Sequence, residues 1–199
     1  LTLSASKVYD GENSATITLG NLVDSETLGQ DDVTLSSPNA GDRYVTAMQL
    51  LDGANGGKAS NYKLPDLSQR SGSNQVDIDR RAIAIQAEKT YDGSAAVNAT
   101  AIDLTTVNGA ADTGLVAGET LMIDSATGSS ARAGDAHHVS SITFSNGTGL
   151  VSNYKILGQN LEDVSGDDSL GYDEHANHLK INKRELVISL TNSDVSKVY

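Results

Sequence analysis

Polar and apolar residues alternate with a period of two in short bursts along this chain. Ala15-Thr16-Ile17-Thr18-Leu19, Asp32-Val33-Thr34-Leu35, Arg43-Tyr44-Val45-Thr46, Thr120-Leu121-Met122-Ile123, residues 138–144 and Leu186-Val187-Ile188-Ser189-Leu190 all follow that rule. Each burst predicts a half-buried strand, and no stretch of ten or more residues carries the 3.6-residue stripe of an amphipathic helix. Ser, Thr, Asn and Asp make up about 36% of the sequence and there are 19 glycines, so turn-forming residues cut the chain into brief segments. The pattern predicts an all-β protein of small β-sandwiches (Ig-like) joined end to end in an elongated arrangement.

Self-similarity organises these strands. Lys7-Val8-Tyr9-Asp10-Gly11 returns 82 residues later as Lys89-Thr90-Tyr91-Asp92-Gly93, and Lys197-Val198-Tyr199 matches the start of a third copy. Ala40-Gly41-Asp42 precedes Ser60-Asn61-Tyr62-Lys63 as Ala133-Gly134-Asp135 precedes Ser152-Asn153-Tyr154-Lys155. Both sets end in an alternating strand, a basic pair and a further alternating strand: residues 76–85 with Arg80-Arg81, and residues 178–188 with Lys183-Arg184. The expected division is unit one at 1–80, unit two at 81–183 and the opening strand of a third unit at 184–199. Unit two is the longer, and comparison of tyrosine spacings places its insertions at 103–118 and 160–177, both rich in Gly, Asp, Asn and Ser. On this reading both ends of the sequence are cuts within a longer array.

Composition narrows the functional classes. The 199 residues carry 14 Lys+Arg against 26 Asp+Glu, a net charge of −12 that repels phosphate backbones and anionic lipid, so nucleic-acid binding and membrane insertion are not expected. Leu, Ile, Val and Phe form about 23% of the chain, enough for thin cores. Cysteine is absent, which removes disulfides, thiolate nucleophiles and Cys-based zinc sites together.

The ordered set of Lys-x-Tyr-Asp-Gly, a Gly-Asp turn, Asn-Tyr and a closing strand resembles the YDG and MBG repeats of very large secreted bacterial adhesins, the haemagglutinin-like surface proteins. That resemblance implies an extracellular location on the bacterial cell surface and an array of repeats serving as the stalk of a protein for attachment or biofilm formation. It makes Lys7, Tyr9, Asp10, Gly11, Asn61, Tyr62, Lys89, Tyr91, Asp92, Gly93, Asn153 and Tyr154 the structural motif residues. From physical chemistry alone, Tyr9, Tyr62, Tyr91 and Tyr154 are expected to fill thin cores that lack Trp, and Asp10 and Asp92 to brace their turns.

Candidate chemistry is sparse. Acidic residues such as Asp77, Asp79 and Asp167-Asp168 invite a calcium hypothesis, but no EF-hand or β-roll spacing is present, so no metal or other cofactor is expected. His137-His138 point to opposite faces if they lie on a strand, and His175 and His178 lie in or just after the second insertion. No nucleophile elbow, P-loop or His-Glu-x-x-His occurs, so an enzyme is not expected. Lys7 with Asn61, and Lys89 with Asn153, form candidate isopeptide pairs whose simpler reading is surface Lys and turn-forming Asn. The expected function is a monomeric structural stalk whose partners are neighbouring repeats. The alternative is a module binding host or matrix glycans through the unit-two insertions.

Overall fold

A computed structural model describes residues 1–157 and 170–189. The described residues are all-β apart from three single 3-10 turns at Ala59–Asn61, Ala99–Ala101 and Val151–Asn153. Six strands lie in the first part: β1 (Thr2–Val8), β2 (Thr18–Gly20), β3 (Leu28–Leu35), β4 (Gly41–Arg43), β5 (Val45–Asp52) and β6 (Asn74–Asp79). Seven follow: β7 (Arg81–Thr90), β8 (Ile102–Thr105), β9 (Leu121–Gly128), β10 (Gly134–His137), β11 (Val139–Asn146), β12 (Tyr154–Ile156) and β13 (Asn177–Asn182).

They form several small sheets and no barrel. One sheet runs β2-β1-β6-β4, a second runs β10-β13-β7-β12 with β8 also on β7, and β3-β5 and β9-β11 are two-stranded antiparallel ribbons. The opening and closing strands of each part pair in parallel: β1 with β6 (Leu3 opposite Asn74, Lys7 opposite Ile78) and β7 with β13 (Ile85 opposite Asn177, Lys89 opposite Ile181). The matching residues in the two pairings are those aligned by the internal repeat.

Burial follows pairing. β6 and β13 alternate cleanly, with Val76, Ile78, Leu179 and Ile181 inside. β7 contacts β8, β12 and β13, and Ala82 to Ile85 are all buried, so its core segment is covered on both faces. One apolar cluster links Leu3, Tyr9, Ile17, Val45 and Val76 to Ile83, Ile85, Val139, Tyr154 and Leu179.

Two of the polar core residues make the same device. Asn74 accepts the Val45 N–H at 2.9 Å and donates to the Val45 and Asp66 carbonyls at 3.0 and 3.2 Å. Asn177 accepts the Val139 N–H at 3.0 Å and donates to the Val139 and Gly171 carbonyls at 2.9 and 3.0 Å. Each carboxamide replaces a missing piece of β-ladder and satisfies backbone groups that would otherwise be buried without partners.

The period-two segments at 120–123 and 138–144 lie in the β9-β11 ribbon, and 32–35 lies in β3. The segment 43–46 is broken at Tyr44, between β4 and β5. The strand expected at 186–190 is corrected: residues 184–189 have no strand, and Leu186, Val187 and Ile188 are 83%, 85% and 79% exposed. A strand needs a ladder partner as well as alternation, and none is supplied to this segment among the described residues. Leu190, the Lys197-Val198-Tyr199 copy and much of the 160–177 insertion, with Asp167-Asp168, lie outside the described residues.

Candidate functional site

The Lys-x-Tyr-Asp-Gly segments end β1 and β7, and in both the lysine closes the turn. Lys7 Nζ donates to the Glu12 and Ser14 carbonyls at 2.9 and 2.8 Å and pairs with Asp10 at 2.6 Å. Lys89 Nζ donates to the Ser94 and Ala96 carbonyls at 3.0 and 2.7 Å and pairs with Asp92 at 2.9 Å. An ammonium has three donors, and here each has an acceptor. The two side chains are only 14% and 10% exposed, so the surface-lysine expectation is corrected. Neither lysine is bonded to Asn61 or Asn153.

The aspartates also grip their own loops. Asp10 accepts the Glu12 N–H and Asp92 accepts the Ser94 N–H, each at 2.9 Å, two residues on as expected of an Asx turn. The Lys89 hydrogen bond, then that of Ser94, hold the Asp92 carboxyl below its usual range. Gly11 and Gly93 take φ of 82° and 81°, the left-handed region where a β-carbon is disfavoured.

What lies outside each turn differs. Tyr9 is 4% exposed and meets Tyr154 edge to face, with ring centroids 5.6 Å apart and planes at 84°. One carboxylate serves both phenols: Tyr9 donates to Glu119 Oε1 and Tyr154 to Glu119 Oε2, each at 2.5 Å. Burial, followed by the Glu119 hydrogen bond, pushes the Tyr9 hydroxyl up to about 12. The same two causes, in that order, raise Tyr154. The Val116 N–H donates to the Tyr154 oxygen at 3.0 Å.

Asn153 and Arg81 complete this junction. Asn153, fully buried, accepts the Ala40 N–H at 2.9 Å and donates to Asn39 Oδ1 at 3.0 Å. Arg81 donates to the Gly114, Thr113 and Tyr9 carbonyls at 2.8, 3.1 and 3.3 Å. Gly114 in turn donates to the Ala82 carbonyl at 2.7 Å, so the loop at 106–115 folds back on β7. A β-carbon on Gly11 would stand 3.4 Å from Val116 across the contact.

The remaining motif residues are outside this junction. Tyr91 is 42% exposed, which corrects the expectation that all four motif tyrosines fill a core. A β-carbon on Gly93 would meet nothing within 4 Å. Tyr62 is half-buried; it donates to Glu26 and accepts the Val23 N–H at 3.0 Å, repeating the Tyr154 arrangement, while Asn61 is exposed.

Sequence reading missed Glu26, Glu119, Asn74 and Asn177. A signal was present: Glu26 and Glu119 each follow a Val by three residues and precede the Asn-Tyr tyrosine by 36 and 35. Among the described residues no group of three or more His, Asp or Glu side chains converges as a metal site. A cleft of about 290 Å³ is lined by Ile83, Leu121, Ile142, Phe144, Val151 and Ile156 together with Arg80, Ser152 and Tyr154.

No curated protein and no solved structure matches the chain. The segment carrying the second Tyr-Asp-Gly turn, Glu119 and Asn153-Tyr154 matches a known family, and residues 79–162 are a YDG domain.

Proposed function

We propose that the chain is a pair of tandem structural repeats, units 1–80 and 81–183, from the stalk of a large bacterial surface adhesin that holds a distal adhesive region away from the cell. The observation that carries this reading is the duplication of one apparatus, with the Tyr9 end of the first copy sealed by Asn153, Tyr154 and Glu119 of the second. The lysines and aspartates serve their own turns, and Tyr9, Tyr154 and Asn153 serve packing between copies. These are the properties a spacer requires: fixed orientation between units and no chemistry consumed elsewhere.

Small-angle scattering of the chain tests the stalk reading, together with glycan binding before and after shortening residues 160–177. A stalk gives an elongated particle with no glycan signal. A compact particle that binds glycans and loses binding on shortening would replace it with the carbohydrate-binding alternative.

A further inference from the structure

The junction at Tyr9 has two faces, and each is present a second time without its complement among the described residues. The first face is a Tyr-Asp-Gly turn with an adjacent Ala-Gly-Asp strand start. It occurs at Tyr9 and Ala40, where it is covered, and at Tyr91 and Ala133, where Tyr91 is exposed. The second face is a Val-x-x-Glu turn beside a 3-10 Asn-Tyr turn. It occurs covered at Val116, Glu119, Asn153 and Tyr154, and uncovered at Val23, Glu26, Asn61 and Tyr62, with Val23 65% exposed. The internal geometry of the uncovered copies is already set, since Tyr62 is held by Glu26 and Val23 as Tyr154 is by Glu119 and Val116.

Resting on the tandem-repeat reading, we propose that the Tyr91 end receives a following unit of the same kind by the Tyr9 geometry, and that the Val23–Glu26–Asn61–Tyr62 face is the matching half. The occupant is a second copy of this chain's first unit, entering through residues 184–189. Counted from the shared basic pair, Arg184 takes the place of Arg81 and the exposed Leu186-Val187-Ile188 take the places of the buried Ile83-Ala84-Ile85, with five more residues before Lys197 than lie between Ile85 and Lys89. Tyr91 then donates to the Glu26 carboxylate already held by Tyr62, Asn61 accepts from the Ala133 N–H, and Arg184 donates to the Tyr91 carbonyl.

Two differences follow from the sequence. Arg132 stands where Asn39 does, so the Asn61 amide lacks the side-chain acceptor that Asn153 has. The connection between β2 and Val23 is shorter than the loop at 106–115, although Asn21, two residues before Val23 as Gly114 is before Val116, also has a positive φ, 62° against 76°. This contact is therefore weaker than the Tyr9 junction, but has the same direction. A heterologous contact of this kind does not close on itself and builds a linear array.

The test joins the chain, ended at Glu185, to a second full copy beginning at Leu1, because Leu1 stands in register with Ile83. The second copy carries Tyr91→Phe, so that only the joined Tyr91 reports. Tyrosine nitration is followed by peptide mass spectrometry in this chain and in the 199-residue protein. The expected result is that Tyr91 nitrates quickly in the 199-residue protein and at least about tenfold more slowly in the joined chain, approaching the rate of Tyr9. Introducing Glu26→Ala in the second copy should return most of the lost rate.

Undiminished nitration of the joined Tyr91, with Tyr9 still protected, would overturn this inference and leave the tandem-repeat reading standing. Rapid nitration of Tyr9 itself in the 199-residue protein would instead remove the junction on which both rest.

Discussion

Replacing Glu119 with Ala withdraws one acceptor from two phenols at once. Tyr9 and Tyr154 are 4% and 3% exposed, so neither hydroxyl can turn fully to water when the carboxylate is lost. Hydrogen bonds to a charged group contribute about 1.5–3 kcal/mol each, and two that share one carboxylate are not additive, so a loss of about 2–4 kcal/mol is expected. Glu119→Gln keeps one carbonyl oxygen and should cost less. Urea unfolding at pH 7, followed by circular dichroism and tyrosine fluorescence, should show the Glu119→Ala midpoint lowered by about 1 M or more.

The same substitution has a pH signature. The Tyr9 hydroxyl is raised from 10.0 to about 12 in the folded protein, so its contribution is fully present below pH 10 and is lost as pH rises from 10 through about 12. Glu119→Ala removes the hydrogen bond and the nearby charge but leaves burial, the largest cause, in place. The stability gap between the two proteins should therefore narrow across pH 10–12. A gap below about 0.5 kcal/mol at pH 7 would refute a shared role for Glu119, as would one that does not narrow with alkali.

The other predictions concern the supports around this contact. Asn177→Ala leaves both backbone groups of Val139 unpaired in a dry core and should cost about 2–4 kcal/mol by chemical denaturation. Gly93→Ala forces a β-carbon into φ of 81° with no clash, so it should cost about 1 kcal/mol, and Gly11→Ala should cost at least as much because Val116 is within 3.4 Å. Because the Asp92 carboxyl sits below its usual value of 3.8, its grip on the Ser94 amide holds above that pH and fails as pH falls through the lower, folded value. The Ser94 amide shift, followed by NMR, should titrate there in the native protein and not in Asp92→Asn.

Local rules were readable where one segment contains the whole interaction. The Asp-Gly turns could be read from their residues because each Asp bonds a backbone N–H two positions on. The β9-β11 ribbon could be read because its alternation is matched by an adjacent partner. Partner identity was the limit elsewhere. Tyr9 and Tyr91 have near-identical neighbours in sequence, and their burial differs only because Tyr154, some 145 residues from Tyr9, covers one of them. Leu186 to Ile188 are as apolar as Ile83 to Ile85, but among the described residues only the latter have β8, β12 and β13 around them. Glu119 and Asn177 were invisible as single polar residues because their roles depend on backbone and hydroxyl groups 35 or more positions away.

The parallel pairing of β1 with β6 gives the fold a direction under load. A chain pulled from the start of β1 and the end of β6 would strain all six residue pairs from Leu3–Asn74 to Val8–Asp79 together, in shear, so they could not open one after another as a zipper does. The β7–β13 ladder, from Ile85–Asn177 to Thr90–Asn182, has the same polarity. With only Arg80 between the end of β6 and the start of β7, tension leaving one ladder enters the next with almost no slack to take up.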